Sequence, residues 1–171
     1  MKQIMGILAV SVLAVGCASM TPSGSSAVAT LEATKGNATS GSVNFVQKGG
    51  KLLVTAKVAG LSPGAHGFHL HENGDCSSGD GMSAGGHFNP QGKPHGNPST
   101  PDRHAGDLPM LQANASGDAT LSIEIDVITI GGGATDIVGR AVIVHKDPDD
   151  FMTQPTGNSG ARVACGVVRR T

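Results

Sequence analysis

The 171-residue chain predicts an all-β domain, a sandwich or flattened barrel. Short β-branched runs alternate with glycine-containing turns, one run alternates apolar and polar residues cleanly, and no segment carries the apolar period of a helix. The 26 glycines, 9 prolines and absence of Trp and Tyr suit many turns between short strands.

Residues 1–16 read as a secretory signal: Lys2 supplies a positive start, and Gly6 to Val15 form an apolar run too short to span a membrane. The ending Leu13-Ala14-Val15-Gly16-Cys17 also resembles a bacterial lipoprotein signal, with Ala14 where that motif usually has leucine. Cys17 is then either the lipidated first residue or part of an ordinarily cleaved leader. In such signals the non-acidic Ala18 implies the outer membrane, so the expected location is the periplasm or cell envelope. Residues 17–27, rich in Ser, Gly and Thr, read as a flexible tether, and 28–171 as the folded domain. Without residues 1–16 the chain carries 11 basic and 13 acidic residues, which gives no footing for nucleic-acid binding.

Within the domain, Val28 to Thr34, Ser42 to Gln47 and Lys51 to Val58 are the first strands, as in a meander. Ala119 to Val127 places Leu121, Ile123, Ile125 and Val127 on one face and Ser122, Glu124 and Asp126 on the other. Ile137 to His145 is a further strand, with Val142 and Val144 on one face and His145 on the other. Residues 72–107 and 146–161 remain as long loops, which in a compact domain are more often functional than idle.

Six of the seven histidines lie between residues 66 and 104, and His145 is the exception. In His66-Gly67-Phe68-His69-Leu70-His71-Glu72, His69 and His71 are two apart, so on a strand their imidazoles share a face. With His87, His95, His104 and Asp107 nearby in sequence, the cluster fits a transition-metal site. Apart from Cys17, the cysteines are an even pair, Cys76 and Cys165, in a chain that reads as exported, so a disulfide is expected. Its loop of about 90 residues is worth ~4–5 kcal/mol in the chain-entropy account.

Taken together, Gly67-Phe68-His69-Leu70-His71-Glu72, Gly85-Gly86-His87-Phe88-Asn89-Pro90, His95, His104-Ala105-Gly106-Asp107, Val144-His145 and Gly160-Ala161-Arg162-Val163-Ala164-Cys165-Gly166 resemble a bacterial copper/zinc superoxide dismutase. Order and spacing agree from roughly Leu31 to Arg169. The resemblance implies an eight-stranded Greek-key β-sandwich that converts superoxide to dioxygen and hydrogen peroxide with a redox-cycling copper and a structural zinc. It implies copper on His69, His71, His87 and His145, and zinc on His87, His95, His104 and Asp107, with His87 shared.

The same resemblance makes His66 a structural histidine bonded to backbone and places Arg162 over the copper, where a guanidinium would orient the superoxide anion. Asp149 matches a carboxylate linking a copper histidine to a zinc histidine, with Asp150 as its rival. The loop 146–161 departs from the pattern: Lys146 is its only base before Ala161, against Asp147, Asp149 and Asp150. Lys93 and Arg103 are therefore the candidates for steering charge. Exported relatives include monomers and dimers, and a homodimer is the expectation. A metal-holding protein without turnover and a plain β-sandwich interaction module are the rival readings. Neither accounts for both the all-imidazole-and-carboxylate donor set and Arg162.

Overall fold

The computed structural model describes residues 24–171. The expected signal segment, Cys17 and residues 18–23 of the tether lie outside the described residues. Nine strands build one antiparallel sheet among the described residues: β1 (Ser26–Ala33), β2 (Ser40–Lys48), β3 (Lys51–Ala59), β4 (Gly64–His66), β5 (Phe68–His71), β6 (Leu111–Ala113), β7 (Ala119–Ile125), β8 (Ala141–His145) and β9 (Arg162–Arg170). Their spatial order is β4-β6-β7-β3-β2-β1-β9-β8-β5. The two edges, β4 and β5, are neighbours in the chain and meet through Gly67, so the sheet curls into a nearly closed barrel.

The alternating residues explain the layers. Along β1 and β3 every second residue is buried, with Ala27, Ala29 and Leu31 facing Leu52, Val54, Ala56 and Val58 across the interior. Phe45, Phe68, Leu70 and Leu111 complete this core, and each is fully buried. The β2–β3 hairpin turns at Gly49-Gly50 between the paired Lys48 and Lys51, and Gly49 takes the positive φ of 58° that a tight hairpin needs.

β8 is buried on both sides. Val142 and Val144 enter the main core, whereas Ala141 and Ile143 join Ala84, Cys165 and Cys76 in a small second cluster. That second cluster sits under the Cys76–Cys165 disulfide, which ties residues 72–87 to β9.

Several elements differ from the sequence expectation. β1 begins at Ser26, two residues inside the expected tether, because Ser26 pairs with Val46 and Ala27 is buried. Ile137 to Arg140 form a turn rather than the start of a strand; Ile137 is buried and looks strand-like, but Arg140 N–H donates to Ile137 O. The ninth strand arises because Gly67 divides β4, which pairs with β6, from β5, which pairs with β8.

Candidate metal centre

β5 positions the first two imidazoles. His69 and His71 alternate with Phe68 and Leu70, so the apolar pair enters the core and the histidines face the opposite way; their ring centroids are 6.3 Å apart. The loop of residues 72–107 is stitched onto this strand by backbone bonds. Leu70 N–H donates to Gly106 O at 2.9 Å, Phe88 N–H donates to Leu70 O at 2.8 Å, and Glu72 N–H donates to Gly86 O at 2.9 Å. These bonds set His87 opposite His71 and Asp107 opposite His69.

His145 arrives from β8 at a bulge. Val144 pairs with Ala164 but His145 pairs with Arg162, leaving Val163 as the extra residue. Paired residues on antiparallel strands share a face, so the bulge sets Arg162 beside His145. The Arg162 guanidinium is held by two backbone carbonyls: Nη1 donates to Gly81 O and Nη2 to Gly85 O, both at 2.7 Å. Gly85 O also accepts from His71 Nδ1 at 2.9 Å, so the guanidinium and that imidazole are neighbours.

Two sets of four donors result, His69, His71, His87 and His145 in one and His87, His95, His104 and Asp107 in the other. One atom from each residue lies within 4.8 Å of the others in its set, and all seven residues, His87 being common to both sets, are buried. The fit to metal ions rests on ring nitrogens that nothing else satisfies. His69 Nδ1, His71 Nε2, His87 Nε2, His104 Nδ1 and His145 Nε2 are buried without a hydrogen-bond partner. A buried unpaired polar atom is costly, and ones converging on a common point are what a metal would satisfy.

The opposite nitrogens explain the tautomers. His69 Nε2 donates to Asp149 Oδ2 at 2.6 Å, His71 Nδ1 to Gly85 O at 2.9 Å and His145 Nδ1 to Gly160 O at 3.2 Å. With the proton on the outer nitrogen, the inner one presents its lone pair. Protonation states agree. Burial pushes His71 well down, with the charges of His87 and Arg162 adding to it, and pushes His145 down to about 3. Burial likewise lowers His87 to about 4 against the opposing effect of its hydrogen bond to Asp107.

In the second set, Asp107 Oδ1 accepts from His87 Nδ1 at 2.9 Å and from His95 Nδ1 at 3.0 Å, and lies 3.4 Å from His104 Nδ1 without a hydrogen bond to it. Asp107 Oδ2 accepts the backbone N–H of Gly96 and of His104, so the loop wraps around this carboxylate. Burial alone would raise Asp107, but the surrounding histidines outweigh it and hold the carboxyl far below its usual range. His87 has a ring nitrogen in each set, Nε2 in the first and Nδ1 in the second.

Asp149 links the sets, its Oδ2 on His69 and its Oδ1 2.9 Å from His95 Nε2. Asp150 does not reach either ring; it is exposed and accepts the Met152 and Thr153 N–H groups in a turn of its own. His66 is bonded to backbone, with Nδ1 donating to His145 O at 2.9 Å and Nε2 2.8 Å from Ser62 O. Lys93 and Arg103 each donate to a loop carbonyl, Lys93 Nζ to Pro101 O and Arg103 Nε to Pro98 O at 2.7 Å, and keep their charge. Both line a groove of 840 Å³ with Asp107, Ile123, Ile125 and Phe151. Sequence reasoning missed Gly81 and Gly85 as the carbonyls that aim Arg162. It also missed Gln154, which bonds the backbone of His95.

The family profile described as copper/zinc superoxide dismutase (SODC) matches residues 39–168. A relative described as superoxide dismutase (Cu-Zn) 2, from Brassica juncea, is 47% identical over 148 residues, covering 82% of this chain and 95% of that protein. Among solved structures, the crystal structure of the clock protein EA4 aligns with a TM-score of 0.79 at 39% identity, over 86% of this chain and 96% of that one.

Proposed function

Because the chain belongs to the copper/zinc superoxide dismutase family, an oxidoreductase family whose substrate is superoxide, we propose that His69, His71, His87 and His145 hold the copper and that His87, His95, His104 and Asp107 hold the zinc. The observation that carries this assignment is the set of five buried, partnerless ring nitrogens. When bound, the copper supplies a redox couple that takes an electron from one superoxide and gives it to the next, and the zinc supplies fixed charge and order.

The chain's own residues do the rest. Arg162, pinned by Gly81 O and Gly85 O beside His71 and His145, attracts and orients the anion at the face left to the first set. His87 Nε2, buried and without a hydrogen-bond partner, is the ring atom that would take up and release a proton, its Nδ1 belonging to the second set. Two superoxides and two protons then give dioxygen and hydrogen peroxide. Asp149 orients His69 and His95 together, one carboxylate oxygen on each ring.

The sequence pattern of residues 1–17 supports a bacterial, exported enzyme that protects the cell envelope, anchored through a lipidated Cys17. A homodimer is part of the same reading. Metal content measured alongside superoxide consumption tests the assignment, since a metal buffer binds both ions without turnover. Fatty-acid labelling of parent and Cys17→Ala protein tests the anchor, and sedimentation tests the dimer.

A further inference from the structure

His95 sits between Pro94 and Gly96, outside any strand, yet the loop of residues 146–161 grips both its ring and its backbone. Its ring Nε2 is 2.9 Å from Asp149 Oδ1. Its backbone N–H donates to Gln154 Oε1 at 2.8 Å, and its carbonyl accepts from Gln154 Nε2 at 2.8 Å. One side-chain amide thus pairs with both backbone groups of one residue, as a neighbouring strand would. Gly157 closes against the same ring: a Cβ there would lie 2.6 Å from His95 Nε2 and 1.9 Å from Asp149 Oδ1.

The arm carrying Gln154 is held by its own bonds. Asp150 accepts from Met152 N–H at 2.9 Å and from Thr153 N–H at 2.8 Å, Asp150 N–H donates to Gly157 O at 2.9 Å, and Gly157 N–H donates to Thr153 O at 2.7 Å. The amide is therefore presented to His95 by a preformed turn, and ordering it costs little chain entropy.

We propose that Gln154 is a positioning residue for the zinc site: by pairing with the backbone of His95 it aims His95 Nδ1 at Asp107 Oδ1, 3.0 Å away, and makes zinc retention depend on the loop of residues 146–161. This rests on His95 as a zinc ligand. The arrangement joins the loop before Arg162 to the zinc loop through backbone as well as through Asp149.

The test uses the full, metal-loaded chain with Gln154→Ala, Gln154→Met and His95→Ala. Zinc release into a chelating dye is timed, and the visible spectrum of cobalt(II) loaded in place of zinc is recorded. Methionine keeps the length and volume of glutamine but removes both polar groups. Loss of two neutral hydrogen bonds predicts zinc release roughly tenfold or more faster in both Gln154 variants. It also predicts a changed cobalt spectrum, with copper content as in the parent. If Gln154→Met matches the parent while Gln154→Ala does not, the side chain acts by packing and the proposal fails. It fails equally if both variants match the parent while His95→Ala loses zinc. If His95→Ala itself keeps zinc at the parent rate, the zinc assignment fails instead.

Discussion

Arg162 stands opposite His145 across the β8–β9 bulge, and both its terminal nitrogens are committed to carbonyls of the segment that the disulfide ties to β9. Its position is thereby fixed with no salt bridge to an acid among the described residues, Asp80 acting only at longer range, which leaves its charge for an incoming anion. Arg162→Ala should lower the second-order rate with superoxide roughly tenfold or more and weaken its dependence on ionic strength, with copper content unchanged. A rate and salt dependence equal to the parent's would make Arg162 a structural residue. The histidines give a second expectation, for the metal-free protein. His87 and His145, held by burial at about 4 and about 3, stay neutral where the unfolded imidazole, near 6.5, takes up a proton. The unfolded state therefore binds more protons below about pH 6.5, and stability falls as the pH drops from there towards 4. His69 and His71 are lowered as well and act in the same sense. His95 acts oppositely: burial disfavours its charge, but the bonds to Asp107 and Asp149 lift it to about 9. Its contribution is complete below 6.5 and is lost as the pH rises through 9. The urea midpoint of metal-free protein should fall clearly between pH 7 and 4, and a flat midpoint over that range would contradict the account.

At the scale of elements, the zinc loop has little apolar material of its own and is held by β5, by Asp107 and by Gln154. Zinc should supply much of its remaining order. Removing zinc should lower the melting temperature and open residues 76–107 to proteolysis, more so when Cys76–Cys165 is reduced, since both constrain the same stretch. Equal melting and cleavage with and without zinc would show a loop ordered by its own packing. Much of this element was legible in advance because strand parity alone puts His69 and His71 on one face, and the even cysteine pair points to a single bridge. The rest depended on long-range pairing. β4 and β6 are three-residue strands defined by their pairing, β4 with β6 and β6 in turn with β7. Ile137 reads as strand because it is apolar and β-branched ahead of Val142 and Val144, although the chain turns there and buries it. Lys93, Arg103 and Gln154 end on backbone carbonyls or N–H groups, and a backbone acceptor leaves no pattern in the sequence.

For the whole molecule, the barrel and the metal centre are built on opposite faces of the same strands. Phe45 is fully buried in the main core, away from the histidines, so Phe45→Ala should cost about 3–5 kcal/mol of stability while the folded fraction keeps its metal content. Loss of metal at full folding would instead show that the core sets the site directly. The central claim is that two metal sites share His87 and otherwise use separate residues. Copper and zinc content of His145→Ala, measured with superoxide turnover on the same sample, tests this most directly. His145 Nε2 belongs to the first set alone, so the account predicts zinc bound as in the parent, copper binding weakened and turnover abolished. Near-normal turnover in a variant shown to be fully loaded with zinc would contradict it.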